Sequence, residues 1–423
     1  MADIPGARWS AHNGRVSSAA PDTSSRPGTA LSADLRDGLS SVDPTTPLGL
    51  YVHVPFCATR CGYCDFNTYT AGELGSSSSP ESWRTAVRAE LDLAAELMSP
   101  RRPVSTIFVG GGTPSLLGAS GLGGLLDDIR ERFELTADAE TTTESNPEST
   151  DPEFFAGIRA AGFTRVSLGM QSAAAHVLAV LDRTHTPGRA AAAAREAAAA
   201  GFDHVNLDMI YGTPGETDAD LHATLDAILG APVDHVSAYA LIVEDGTALA
   251  RRIRRGELPA PDDDVLARRY QIIDDRLTEA GLRWYEVSNW SRPEPESWCR
   301  HNLGYWYSHD WWGVGPGAHS HVNGVRWWNH KHPARYADSL AVRELPVNGH
   351  EVPDGDESHT ERVMLTARCA SGLADADLDS AERRRAARLV TDGLLRRVDD
   401  ERLVLTDRGR LLADGVVRDI LWG

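Results

Sequence analysis

Six short apolar or β-branched runs alternate with six helical stretches between residues 47 and 283, and this alternation constrains the fold more than any other feature. The runs predict strands at 49–54, 105–109, 140–144, 165–168, 204–209 and 234–240. Helical periodicity predicts helices at 81–97, 120–132, 152–161, 188–200, 218–229 and 261–280. Strands joined by helical crossovers lie parallel, so the pattern is that of an α/β protein with helices packed outside a parallel sheet. Eight such units close a complete barrel. Six leave an opening, and the predicted architecture is a partial (β/α)6 barrel of the TIM type. The fourth helix, RAAAAAREAAAAG, combines the strongest helix former with a stop signal at Gly201.

Residues 1–46 are rich in Ser, Ala, Pro, Gly and Thr without an apolar period, and a disordered tail is expected there. The barrel domain is assigned 47–283, with GELGSSSSP at 72–80 as a polar, flexible loop after the first strand. From residue 284 Trp, His and Gly become dense through Trp328, which predicts a smaller C-terminal α+β domain over 284–423. Its end, from Ala381 to Leu421, reads as helix, hairpin with a turn at Asp399, then helix, a winged-helix-like unit.

The formal net charge of -19 repels phosphate backbones and acidic membrane surfaces. No nucleic-acid partner is therefore expected, radical modification of RNA is disfavoured, and the winged-helix-like unit reads as scaffold. The basic run Arg251, Arg252, Arg254 and Arg255 neighbours Asp262, Asp263 and Asp264 and reads as a solvated helix end. No run approaches the roughly 18 apolar residues that span a bilayer, and no basic flank precedes an apolar segment at the N-terminus. A cytoplasmic protein without a transmembrane segment is expected; a homodimer is left open.

The chain has 5 cysteines, and Cys57, Cys61 and Cys64 fall together in LYVHVPFCATRCGYCDF, unlike a disulfide framework. Thiolates are soft ligands that select iron–sulfur clusters, zinc or copper(I). Three of them can wrap one face of a [4Fe-4S] cube and leave its fourth iron open to a chelating ligand. Two other readings compete. Small buried cysteines on one helical face would fit the spacing, but Pro55 and Gly62 oppose a helix. A zinc site could recruit His53 as fourth ligand, although an alternating strand is a poor place for one.

C-x3-C-x2-C directly after a first barrel strand resembles the signature of radical S-adenosylmethionine proteins. Further marks follow in order: Gly110, Gly111 and Gly112 in FVGGGTPS, Glu144 in TTTESNP, Gln171 in SLGMQS, Arg183 in LDRTH and Asp208 in NLDMIYGTPGET. The resemblance implies a [4Fe-4S] cluster on Cys57, Cys61 and Cys64, with S-adenosylmethionine at the open iron. It further implies cofactor contacts from Tyr51, Tyr63, Gly111, Gly112, Thr113, Glu144, Gln171, Arg183, Asp208 and Ala240. In such proteins a reduced cluster cleaves the sulfonium to a 5'-deoxyadenosyl radical, and the protein orients the parts and excludes water.

The resemblance runs from Pro47 nearly to the end and is nearest the branch of oxygen-independent coproporphyrinogen III oxidase and the heme chaperones. The oxidases carry a further cysteine where this chain has Phe66, and they use an ordered N-terminal arm where residues 1–46 look disordered. The chaperones show HNxxYW, matched here by His301, Asn302, Tyr305 and Trp306. The resemblance thus implies heme as a third cofactor, contacted by those four residues. Eight of the 11 Trp and six His gather between Trp284 and His332, a composition that suits a planar ligand with an imidazole donor. Without the motif the same residues would read as a Trp-rich interface. Cys299 is an alternative heme attachment point, and Cys369 reads as core. The expected function is a heme chaperone that delivers heme to an unidentified acceptor protein; the alternative is oxidative decarboxylation of coproporphyrinogen III. No catalytic residue is assigned.

Overall fold

The computed structural model describes residues 45–74, 79–98 and 102–423 without interruption, together with isolated positions before residue 45. All six expected β/α units are present. They run β1 (Leu48–Val54), α1 (Pro80–Leu97), β2 (Val104–Gly111), α2 (Gly118–Arg130), β3 (Leu135–Ser145) and α3 (Pro152–Ala161). Then come β4 (Arg165–Gln171), α4 (Arg189–Ala199), β5 (His204–Tyr211), α5 (Asp218–Leu229), β6 (His235–Ala240) and α6 (Asp263–Glu279). Local chemistry sets the helix ends. The Asp151 side chain accepts from Phe154 N at 2.7 Å to start α3, and Gly162 at φ 110 ends it in the left-handed region. In α4, Ala190, Ala193, Ala194 and Ala197 form the buried stripe, and their small side chains let the helix sit close to the sheet.

Beyond the barrel the chain continues through β7 (Arg283–Glu286), β8 (Asn289–Ser291), α7 (Arg300–Trp306), β9 (Asp310–Val314), β10 (His319–Val322) and β11 (Val325–Asn329). It then forms α8 (Pro333–Ala341) and β12 (Val347–Glu351). One twelve-stranded sheet takes in all of these strands, in the order β12-β11-β10-β9-β1-β2-β3-β4-β5-β6-β8-β7. Strands β1 to β6 are parallel, the sheet remains open at both ends, and the partial barrel expected from the sequence is what forms. Strand β9 adds a seventh parallel strand beside β1, with Asp310 opposite Leu48 and Val314 opposite Val52.

Two boundaries differ from expectation. Residues 284–351 hydrogen-bond into the main sheet, and Trp290, Trp312 and Trp327 are buried in its core, so composition changes at residue 284 while the core does not divide there. A separate hydrophobic cluster draws on Val363 to Leu421. It is built by α9 (Gly355–Thr366), β13 (Leu373–Ala374), α10 (Ser380–Thr391), β14 (Leu395–Arg397), β15 (Arg402–Leu405) and α11 (Ala413–Leu421), the winged-helix-like order. Most of the tail expected at 1–46 lies outside the described residues. Leu35 and Leu39 within it are nonetheless buried in the main core. Of the loop expected at 72–80, residues 75–78 lie outside the described residues, and Ala71–Leu74 is a short helix.

Helix α7 closes the barrel at the end where the strands begin. His301 on α7 reaches Thr106 Oγ1 at 2.8 Å, and a Cβ on Gly49 would press the same imidazole at 3.2 Å. Glu140, on β3, accepts from the α7 amides of Arg300 and His301 at 2.9 and 3.0 Å. The HNLGYW segment is thus a plug at the opposite end from the cysteine loop, which follows the C-terminal end of β1.

A second buried carboxylate ties the outer helix layer to the added strands. Glu90 on α1 accepts from Tyr336 OH at 2.5 Å, Gly315 N at 2.8 Å and Asn329 Nδ2 at 2.7 Å. Burial pushes its pKa from 4.5 up to about 7, and burial does the same to Glu286. A carboxyl whose folded pKa exceeds its unfolded value favours the folded state while protonated, and that contribution disappears as pH rises through the folded pKa. Stability is therefore expected to fall between about pH 5 and pH 8, by about 3 kcal/mol for each group. Urea denaturation across that range should show the fall, and Glu90→Gln should remove about half of it.

Candidate cofactor site

A cavity of about 1550 Å³, counted out to its open mouth, runs from the cysteine loop down the inside of the barrel to Cys299 and Asn302 beside the α7 plug. Its walls follow from strand alternation. Residues two apart point to one face, so β3 turns Thr142 and Glu144 inward and β4 turns Arg165, Ser167, Gly169 and Gln171. Likewise β5 contributes Asn206, Asp208 and Ile210, and β6 contributes His235, Ser237 and Tyr239. The intervening residues, such as Val166, Leu168, Leu207 and Val236, are fully buried on the helix-facing side. A lumen lined by polar side chains is the reverse of a packed barrel core and marks a ligand space.

At the mouth, Cys57, Cys61 and Cys64 are half-buried free thiols. Backbone bonds hold their loop: Cys57 N to Tyr69 O at 3.0 Å, Gly62 N to Leu181 O at 3.1 Å and Leu249 N to Gly62 O at 2.8 Å. A Cβ on Gly62 would fall 2.2 Å from Asp182 Oδ2, so any larger residue there would push the Asp182 carboxylate aside. Thr113 Oγ1 donates to Cys57 Sγ at 3.8 Å. Burial pushes the Cys57 thiol up and the Cys64 thiol up to about 12, so a thiolate here calls for a positively charged partner.

Among the described residues, no three His, Cys, Asp or Glu side chains converge as a single bound ion requires. His53 is committed elsewhere: its ring bonds Tyr51 OH at 3.0 Å and the Asn67 carbonyl at 2.9 Å, which removes it as a zinc ligand. A cube that takes one thiolate per iron does not need the sulfurs to meet at a point, and three spaced soft donors around one loop fit it.

Below the cysteines, Glu144 accepts from Gly111 N at 2.9 Å, which joins the ends of β2 and β3. Gln171 sits at φ 65, and the β4–β5 register slips between Gly169 and Gln171; this bulge turns Gln171 into the cavity. A Cβ on Gly169 would lie 2.8 Å from Arg183 Nη2 and 2.9 Å from Gln171 Nε2, so Gly169 makes room for both. Arg183 Nε and the hydroxyls of Thr142 and Ser145 are buried without hydrogen-bond partners, polar groups that a bound ligand can satisfy. Asp208 accepts from Ser167 Oγ at 3.0 Å and Asn206 Nδ2 at 2.6 Å, and burial nevertheless raises its pKa.

The structure gathers Cys57, Cys61, Cys64, Tyr63, Gly111, Gly112, Thr113, Glu144, Gln171, Arg183 and Asp208 around this one cavity. Tyr51 and Ala240 lie outside its wall; the Tyr51 ring stacks on Phe108 instead. Of the HNLGYW residues, Asn302 reaches the cavity floor. His301 is 3% exposed, and its two ring nitrogens bond Thr106 and Tyr305 OH, the latter at 2.8 Å. Trp306 packs against Tyr285, Leu303, Leu365 and Cys369. Sequence reasoning missed Ser167, Asn206, Ser237 and Tyr239; the signal was polar side chains recurring at alternate positions of β4 to β6.

The radical SAM superfamily model matches residues 51–228 of this chain. The fold is that of coproporphyrinogen III oxidase (HemN) from Escherichia coli, with a TM-score of 0.78, 24% identity and coverage of 91% of this chain and 92% of that chain. Fold, cysteine loop and lumen together define a radical S-adenosylmethionine protein. The heme chaperone HemW of Mycobacterium tuberculosis is 63% identical over 379 residues, 89% of this chain and 96% of the relative. HemW of Bacillus subtilis is 31% identical over 327 residues, 77% of this chain and 84% of the relative. The chain belongs to the heme chaperone HemW family. Among the described residues, no helix is long and apolar enough to cross a membrane.

Proposed function

We propose that this protein is a heme carrier that binds heme and passes it to an acceptor protein, and that Cys57, Cys61 and Cys64 hold a [4Fe-4S] cluster beside S-adenosylmethionine. The observation that carries the cofactor part is the three-thiol loop at the mouth of a polar lumen whose walls include Glu144, Gln171, Arg183 and Asp208. When bound, the cluster and cofactor supply one-electron chemistry at a sulfonium. The chain's own residues orient and enclose: Gly112 and Thr113 approach the loop at Phe56 and Cys57, Arg183 offers an unpartnered Nε, and Asp208 offers a carboxyl held by Ser167 and Asn206. The chaperone names of the relatives, together with HNLGYW and Phe66, favour carriage of heme over porphyrinogen decarboxylation.

Anaerobically reconstituted protein should take up heme stoichiometrically by absorbance titration and leave coproporphyrinogen III unconverted. Turnover of the porphyrinogen would overturn the carrier reading. Gly169→Ala tests the cofactor wall, because its new Cβ displaces Arg183 and Gln171. It is expected to weaken S-adenosylmethionine binding by about tenfold in equilibrium dialysis, equivalent to about 1.4 kcal/mol, while iron content stays unchanged.

A further inference from the structure

Among the described residues, His235 is the one histidine in the lumen wall, and the cofactor contacts assigned above leave it without a role. It is 2% exposed and lies opposite Asn206 in the β5–β6 ladder; Asp208 lies opposite Ser237, two residues nearer the mouth. Burial, and after it the charge of Arg165, holds the His235 pKa well below its ordinary value, so the neutral ring has one proton to place.

Chemistry fixes the direction of each hydrogen bond around it. An ionised Asp208 can only accept, so the Asn206 atom 2.6 Å from its Oδ1 is the amide nitrogen. The same nitrogen donates to Ser167 Oγ at 2.8 Å and Ser237 Oγ at 2.9 Å. The Asn206 carbonyl is thereby turned to His235 Nδ1 at 2.7 Å, and a carbonyl also only accepts, so Nδ1 carries the proton. Nε2 is left as an acceptor and takes the Tyr285 hydroxyl hydrogen at 2.7 Å. The Tyr285 oxygen in turn accepts from Cys299 N at 3.3 Å, and Cys299 is the residue at which α7 begins. A free Asn206 amide could turn over and set its oxygen against the Asp208 carboxylate, two acceptors facing each other in a buried site. The proton on His235 Nδ1 forbids that rotation, because the turned amide would meet N–H with N–H.

We infer that His235 is a positioning residue for the cofactor site: through Asn206 it keeps an N–H donor on the Asp208 carboxyl, and through Tyr285 it ties that carboxyl to the seating of α7. The assignment rests on the cofactor part of the proposed function, in which Asp208 faces S-adenosylmethionine. It gives the HNLGYW helix a route to the lumen wall from the opposite end of the barrel, carried by hydrogen bonds whose donors all point toward Asp208.

Equilibrium dialysis of S-adenosylmethionine against the anaerobically reconstituted full chain tests this, with iron content measured alongside. His235→Leu is expected to bind the cofactor about fivefold more weakly at unchanged iron content, the effect of losing about one hydrogen bond. Made on top of Asp208→Ala, the same change is expected to have no further effect, because a residue acting through Asp208 then has nothing to act on. His235→Asn sets its amide nitrogen where Nδ1 stood and should recover affinity to within about twofold of wild type, whereas His235→Gln reaches the place of Nε2 and should not. This polar pair carries the test if His235→Leu does not fold. A loss of the same size in the Asp208→Ala background, or equal affinities in the Asn and Gln variants, would make His235 a structural residue only and overturn the inference. A wild type that takes up no S-adenosylmethionine, or an Asp208→Ala chain that binds it as tightly as wild type, would remove the cofactor reading of Asp208 and this role of His235 with it.

Discussion

Cys61→Ala is expected to reduce iron and acid-labile sulfide after anaerobic reconstitution from a full cluster to near zero, with the fold retained. The fold should survive because the loop is fixed by backbone bonds at Cys57, Gly62 and Leu249 that do not involve the thiol. The proposed cluster should not, because each thiolate would serve its own iron and no other cysteine is near. Cys299 lies at the far end of the cavity with its Sγ 3.6 Å from Glu140 Oε1, and Cys369 is fully buried in a hydrophobic cluster. Cys299→Ala should accordingly keep its full iron content. Assembly should also slow as pH falls, since metal must displace protons from thiols that burial pushes up, to about 12 for Cys64. Full iron in Cys61→Ala would contradict the three-thiolate assignment, and far-UV circular dichroism separates that result from unfolding.

The elements that could be read in advance are those with local causes. Strands β1 to β6 have apolar or β-branched runs bounded by turns, and α3 and α5 occupy the predicted spans because Asp151, Gly162 and Thr217 mark their ends. What escaped depends on distant pairing. Nothing local in DWWGV shows that β9 will lie parallel to β1, a contact between residues 310–314 and 48–52. For the same reason a change of composition at residue 284 looked like a boundary although the sheet continues through it. The site divided along similar lines. The cysteines and the strand-end residues Glu144 and Gln171 were legible because a barrel places strand ends at its mouth, whereas Asp208 lies within β5. The surroundings of HNLGYW were not, since its neighbours Gly49, Thr106 and Glu140 come from three other strands.

Glu140→Ala is expected to cost about 3–5 kcal/mol in urea denaturation, because it leaves a buried charge and two helix amides unpaired. Glu140 is 5% exposed; it accepts from the amides of Arg300 and His301 and lies 3.7 Å from Arg165 Nε, itself 2% exposed. The first two interactions satisfy donors that α7 would otherwise leave open at its N-terminus, and the third balances a guanidinium that cannot neutralise itself. Glu140→Gln keeps an acceptor while losing the charge, so it should fall between wild type and alanine. Arg165→Met on top of Glu140→Gln removes both charges, and that pair should lose less than the sum of its single changes. The consequence reaches the cofactor. Asn302 is held at the cavity floor by the same helix, so S-adenosylmethionine affinity should fall with the seating of α7 even under conditions where the chain stays folded. A cost below about 1 kcal/mol for Glu140→Ala would show that α7 is seated by its apolar contacts instead, and unchanged cofactor affinity would disconnect the plug from the site.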